Sequence, residues 1–474
     1  MKYNFDINAY LERLPSSIDV IDISRLKLTF LPDLSRFTCI KRLNCSFNKL
    51  TCLPTLPKGL LYLDCSHNKL SSIPTLPNNL LSLDCSHNKL VSLPELNEKL
   101  EILNCSYNHI TSLHVHLNSK LGNLDCSHNS LTYLPSLKHV YQLNCSYNEL
   151  IYFPEFPSSL KILYCMSNFI SQFQSEKLNE TMEKLYCSYN KLKKLPILNS
   201  GLEVLECSHN LLTNLPRLIH CVGLEILNCD NNQITHIHCL NLGLKILNCS
   251  YNKFVTLPDL TPDLEALYCD NNRLKKLPVL NNELKYLICP KNRLSQLPSF
   301  NDGLEVLECS ANCLSVLPTF SNELRYLDCN SNMLLQLPIM NDKLSHLICY
   351  NNQLVQLPLF NNVLSHIVFN QNPIYDLLFG NSINIYHHDF INPYHDVTSY
   401  FQQYTNAIDC LRQNVERLYS FKSLFYALKC KHRLRHFLWD KIRRPKIEEK
   451  YHPRHLQKLL LSEEDDLSEI LVNW

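Results

Sequence analysis

A period of twenty residues constrains this chain more than any other feature. Residues 61–77 read LYLDCSHNKLSSIPTLP, and residues 81–97 read LSLDCSHNKLVSLPELN. The same Asn recurs from Asn48 to Asn372, with a step of 20 broken only by one of 21, one of 19 and two of 22. Around it the frame is L-x-x-L-x-C-x-x-N-x-L-x-x-L-P; in one copy this is Leu60, Leu63, Cys65, Asn68, Leu70, Ile73 and Pro74. A degenerate first copy keeps Ile21, Ile23, Leu28, Leu31 and Pro32 in frame and has Leu26 in place of Asn. A unit this short cannot bury its apolar edge alone. It can do so only by stacking on its neighbours, with an atypical repeat at the end.

Each residue type in the frame has a physical reading. The L-x-C alternation has a strand period, which predicts Leu63 and Cys65 inside and Tyr62, Asp64 and Ser66 on the solvent side. Pro74 cannot donate to a ladder and belongs on the far side of the solenoid. Strands about 4.8 Å apart would build a concave face on the order of 80 Å long. The Asn carboxamide can satisfy backbone groups that the turn leaves unpaired. Sixteen of the 23 Cys occupy the Cys position, from Cys45 to Cys349, and the copy at 369 is Phe369. Parallel strands in register hold neighbouring Cβ atoms near 4.8 Å, beyond the usual disulfide range of about 3.5–4.5 Å. The expectation is a column of buried, reduced thiols.

These motifs resemble the leucine-rich repeat family in its short form of about 20 residues with L-P after the turn, familiar from secreted bacterial effectors. The resemblance covers roughly residues 18–378. It implies an α/β repeat solenoid with parallel strands on the concave face. A small α-helical C-terminal region follows on periodicity. The expected organisation is 1–40, N-terminal cap and degenerate repeat; 41–378, solenoid; 379–396, cap or linker; and 397–474, helical, with helices near 397–418, 421–442, 446–460 and 463–472.

The Cys-Ser-His-Asn tetrapeptide looks like a metal site or a Cys/His pair. The strand reading separates the two: Cys65 goes inward and His67 leaves on the solvent side. Down the His column, His and Tyr alternate with no evident rule, whereas a metal column would need His at every rung. No catalytic residue, cofactor or metal is therefore expected. The aromatic and acidic stripe over residues 62–189 is the candidate partner-binding surface: Tyr62, Asp64, His67, Asp84, His87, Tyr107, Asp125, His128, Tyr147, Tyr164, Tyr186 and Tyr189. Tyr and His there offer large contact area with polar tips. A second column, Glu225, Lys245, Glu265, Lys285, Glu305 and Arg325, alternates in sign and reads as structural cross-strand pairs.

A formal net charge of +1 over 474 residues advertises neither a nucleic-acid nor a membrane partner. The basic stretch 421–446 is the only candidate for nucleic acid, and the acidic SEEDDLSE that follows can neutralise it. No apolar run is long enough to span a bilayer, and Asp6 and Glu12 interrupt what a signal peptide would need. A cytoplasmic, monomeric scaffold binding a protein partner is expected. Residues 438–460, LWDKIRRPKIEEKYHPRHLQKLL, resemble a C-terminal element of mimivirus-like repeat proteins, which implies a viral protein in host cytoplasm. Two alternatives stand beside the scaffold. One is an adaptor recruiting a second partner through its C-terminal helices. The other is an effector with a ubiquitin-ligase-like C-terminal region, which would need a C-x-D cysteine; the chain offers Cys410-Leu411-Arg412 and Cys430-Lys431-His432. The spacing of Cys410, Cys430, His432 and His436 fits no familiar zinc pattern.

Overall fold

A three-residue strand in every repeat, placed in register by the twenty-residue period, gives an eighteen-stranded parallel sheet. The computed structural model describes residues 5–113, 120–358 and 363–375. The sheet runs from Val20–Asp22 to His366–Val368, each strand pairing with the one from the next repeat. Typical pairs are Tyr62 with Ser82, Leu63 with Leu83 and Asp64 with Asp84. The irregular repeats do not disturb this register. Ile102 still pairs with Asn123, Asn123 with Gln142, and Ile162 with Lys184. The extra or missing residues are absorbed outside the strands, because a one-residue slip inside one would turn its Leu to solvent.

The core is a set of columns along the stack. Leu60, Cys65 and Leu70 are fully buried and Leu63 almost so, as are their equivalents as far as Leu354; in the last described repeat Leu364 and Ile374 are only partly buried. Burying a Leu side chain contributes roughly 1.5–3 kcal/mol, and each repeat supplies several. Two successive repeats carry Phe before or near the far-side turn. There Tyr152–Phe153 pairs with Gln172–Phe173 in a separate two-stranded sheet, and Phe153, Phe156 and Phe173 cluster with centroids 5.2–5.9 Å apart.

Two polar ladders tie repeat to repeat. In the first, Asn68 Nδ2 donates to the carbonyls of Cys45, Cys65 and Ser66 at 3.0–3.1 Å, while its Oδ1 accepts from the Leu50 N–H at 2.9 Å. The same bonds recur to Asn372. Leu26, where Asn is missing, is served by Asn48, whose Oδ1 accepts from the N–H groups of Leu26 and Leu28. The second ladder lies at the other end of the strands and has no counterpart in the sequence reading. Asn199, Asn241, Asn281 and Asn301 donate to carbonyls of the preceding repeat at 2.6–3.0 Å, with the Thr261 and Ser321 hydroxyls doing so at 3.3 and 2.6 Å at two rungs. Its signal was a small polar residue three places before the first Leu of the frame, where earlier repeats have Pro57, Pro77 and Pro157.

The N-terminal end is closed by a helix, Ile7–Arg13. Asp6 caps it, accepting from the N–H groups of Asn8 and Ala9. Ile7 and Leu11 are buried, and the Arg36 guanidinium donates to the carbonyls of Leu11 and Leu14. The expected helices beyond 397, the 379–396 linker, the basic stretch, the Cys410/Cys430 set and the virus-like element 438–460 all lie outside the described residues.

One expectation is overturned. Ser66 does not face solvent with Tyr62 and Asp64; it is buried, as are Ser46, Ser86, Ser106, Ser127 and Ser146. Strict alternation ends with the strand at Asp64. Beyond it the chain turns, and the Ser66 hydroxyl folds back to donate to the Asp64 carboxylate two residues earlier.

Candidate functional site

The turn out of each strand places the His column. At every rung from Arg25 to Gln371 that residue lies in the left-handed region, with φ between 50° and 59°. This conformation costs a non-glycine residue of order 1 kcal/mol or more. Continued ladder bonds offset the cost: the His67 N–H donates to Ser86 O at 2.9 Å and the Asn68 N–H to His87 O at 3.2 Å. No glycine occupies the column, although glycine would relieve the strain.

What the column gains instead is a stack. Phe47, His67, His87, Tyr107, His128 and Tyr147 lie face to face, with successive centroids 3.9–4.1 Å apart and ring planes within 13° of parallel. The Arg25 guanidinium covers the first ring at 4.1 Å. Tyr189 and His209 form a second stack at 4.1 Å. The apparent irregularity of His and Tyr in this column therefore has a rule, which is flatness. Any flat ring fits a rung, whatever its polar tip.

The acidic members of the predicted site have local work. Asp64 Oδ1 accepts from the Ser66 N–H at 3.0 Å and its hydroxyl at 2.7 Å. Asp84 and Asp125 do the same with Ser86 and Ser127. The second oxygens of Asp84 and Asp125 accept from Asn104 and Asn144 Nδ2, both at 3.1 Å. These carboxylates hold the turn and bridge strands. Tyr62 is exposed and lies under the Arg42 guanidinium at 4.5 Å, and Tyr164 stacks on Tyr186 at 4.6 Å. The fold thus groups the predicted residues as the ring stack, the turn-holding carboxylates and the Tyr164–Tyr186 pair, with Tyr62 against Arg42 and Tyr189 in the second stack with His209.

The sign-alternating column sits one residue before the strands. Lys245 pairs with Glu225 at 2.8 Å and Lys285 with Glu265 at 3.4 Å, whereas Arg325 turns to Glu323 at 3.9 Å. Where Asn231 and Asn271 replace rings, a shallow open hollow of about 600 Å³ forms beside His209 and Tyr251. His209 Nε2 lies 3.9 Å from Asp230 Oδ2 there.

The Cys column is buried behind this face. Burial and the Asp64 charge push the Cys45 thiol up to about 12, and burial raises the thiols deeper in the stack well above their ordinary range. Thiols raised in this way stay protonated at neutral pH, whereas the thiolate is the form that attacks or ligates a metal. Cys65 is fully buried while His67 is half-exposed, so the pair does not act together.

One ring in the stack is set to respond to pH. Partial burial and the like charge that His67 would carry hold the His87 imidazole below its ordinary 6.5, against the pull of Asp84. Below that ordinary value the unfolded chain binds a proton that the folded state resists, so stability falls as pH drops through the window. Between about pH 7.5 and about 5.5, the melting temperature of the protein should fall further than that of His87→Phe, in which a flat neutral ring keeps the stack. Equal losses would remove His87 as the responsive group.

The sequence matches no family model, and no curated protein matches it. Solved structures do. YopM from Yersinia enterocolitica WA-314 is 28% identical, over 77% of this chain and 89% of that chain, with a TM-score of 0.59. YopM from Yersinia pestis, described as a leucine-rich effector protein, is 30% identical, over 64% of this chain and 86% of that one, with a TM-score of 0.58. The functional domain of InlJ from Listeria monocytogenes, described as including a cysteine ladder, is 26% identical, over 72% and 69%, with a TM-score of 0.54.

Proposed function

The chain belongs to the leucine-rich repeat proteins, and from that premise we propose that it is a non-catalytic scaffold holding a protein partner on the sheet face of its N-terminal half. The observation that carries this reading is the ring stack. It places six aromatic side chains in one row, four of them half-exposed and two, Phe47 and Tyr107, exposed. Pre-ordered flat side chains lose little entropy on binding and supply much contact area, which is why such residues concentrate at interfaces. The engagement of Asp64, Asp84 and Asp125 in turns also favours a surface over a reaction centre. An effector role, by likeness to the Yersinia protein, and cytoplasmic action are further parts of this reading. Among the described residues no helix is long and apolar enough to cross a membrane.

Alanine substitutions at Tyr62, Tyr107 and Tyr147 test it without touching the turn carboxylates. Each is expected to cost about 0.5–1.5 kcal/mol of stacking, leaving a folded protein that loses most of its captured partner in affinity purification from its native cells. Substitution of Lys58, Asn78 and Glu98, exposed in the turns that precede the strands, should leave capture intact. The reverse pattern would move the binding surface to those turns.

A further inference from the structure

One column on the turn edge is charged without being paired. It lies two residues after each member of the ring column, at Lys27, Lys49, Lys69, Lys89 and His109 on successive rungs. Backbone bonds hold it in line: the Lys49 N–H donates to Leu28 O at 2.7 Å, that of Lys69 to Leu50 O at 2.8 Å, and that of Lys89 to Leu70 O at 2.9 Å. Lys49 is exposed between buried Asn48 and Leu50, and Lys89 between buried Asn88 and Leu90, so these side chains leave the stack side by side. Residues 25–30, 47–52, 67–72, 87–92 and 107–112, which form this edge, hold no Asp or Glu. Among the described residues none of the four lysine ammonium groups has an ion pair or a hydrogen bond. Asp64 and Asp84, five residues before Lys69 and Lys89, are engaged by Ser66 and Ser86.

Like charges on neighbouring strands destabilise a sheet, and this chain has the means to pair them, as it does in Glu225–Lys245 and Glu265–Lys285. Nor does the fold need lysine at this place, which later rungs fill with Ser130, Glu149, Phe169 and Leu211. The row is a standing repulsion that an external anion would relieve, and its spacing favours one kind of anion. Parallel strands repeat at about 4.8 Å and helical turns at about 5.4 Å. A helix laid along the stack brings one carboxylate per turn against each lysine. Over four rungs the mismatch is roughly 2 Å, within the reach of an ammonium on a flexible stem. A nucleic-acid strand would find charge but no place for its bases, since the rings beside the row lie face to face at 3.9–4.1 Å. We propose that Lys27, Lys49, Lys69 and Lys89 form a docking rail for an acidic helix of the protein partner, whose Asp or Glu residues recur once per turn. This rests on the scaffold reading above and names the chemistry of the contact.

The test needs no knowledge of the partner. The full chain is titrated into a fluorescein-labelled, alanine-based helical peptide of about twenty residues that carries one Glu per turn on a single face, and anisotropy is followed at low salt. A second peptide of the same composition has its Glu residues spread around the helix. The first should bind saturably and at least tenfold more tightly than the second. Its binding should fade as salt passes about 0.1 M, where the screening length is about 10 Å. Lys49→Gln, Lys69→Gln and Lys89→Gln combined should weaken it at least tenfold, with the melting temperature kept or raised. Arg273→Gln and Arg293→Gln, at exposed cations in the same column, should leave it unchanged. No binding of the one-faced peptide, equal binding of the two peptides, an unchanged affinity in the lysine variant, loss through Arg273 and Arg293 instead, or tighter binding of a single-stranded oligonucleotide of equal charge would each overturn the rail. The alanine capture experiment stands apart: its failure would remove the scaffold, while failure of this titration alone removes the acidic helix from this edge.

Discussion

Replacing Asn210 by Ala should destabilise the solenoid by about 2–4 kcal/mol, the cost of leaving more than one buried backbone group without its partner. Asn210 is buried in the middle of the array. Its Nδ2 reaches the carbonyls of Cys187, Cys207 and Ser208 at 3.0–3.2 Å, and its Oδ1 accepts from the Leu192 N–H at 2.9 Å. Water has no easy route to those groups, and Ala offers nothing in exchange. Asn281→Ala in the second ladder is the control. It removes two donations, to Pro262 O and Leu264 O, from a partly exposed site, and should cost only about 0.5–1.5 kcal/mol. Urea denaturation of both variants decides the matter. A loss for Asn210→Ala no larger than that of the control would show that the column of amides is not what holds the turns.

Leu205→Ala should cost about 2–5 kcal/mol, as expected for a large-to-small change at a fully buried position that packing prevents from collapsing. Its effect should also change the form of unfolding. Leu205 pairs with Leu185 on one side and Leu227 on the other, and an array of this kind is held together by contacts between neighbours. A weak rung in the middle should divide one cooperative transition into two, whereas Ile21→Ala, at the terminal strand, should fray one end and shift the midpoint less. A single, unshifted transition for Leu205→Ala would mean that stability is pooled over far more of the chain than neighbouring contacts allow.

Most of the scaffold was readable from residues such as Leu63, Cys65 and Asn68, because their roles follow from period and polarity alone. A residue that must be apolar every twentieth position has few places to go. Ser66 was misread because alternation is a property of strands, and the strand stops at Asp64. The helix Ile7–Arg13 was not foreseen, since seven residues carry little periodic signal and its clearest sign is the capping Asp6. The candidate face was legible as a set of residues but not as an arrangement. That Asp64 holds a turn depends on the return of the Ser66 hydroxyl. That His67 and Tyr107 belong to one stack depends on a left-handed backbone that a ring-bearing residue rarely adopts. The second polar ladder was missed because Asn, Thr and Ser share it, so no single letter repeats.

Each Asn of the first ladder belongs to two repeats at once, holding its own turn and the N–H of the repeat before. Every rung presents the same groups to the rung on either side. A chain built this way can lengthen or shorten by whole periods with little redesign: excising residues 60–79 would bring Gly59 against Leu80 and let Asn88 take up the bonds that Asn68 made to Cys45 and Leu50. A cut of half a period would leave no such match. Tandem duplication and loss in the gene thus act on the protein as they would on a zip, which closes equally well with a tooth pair more or fewer, so the number of rungs is a quantity that evolution can set separately from the stability of any one of them.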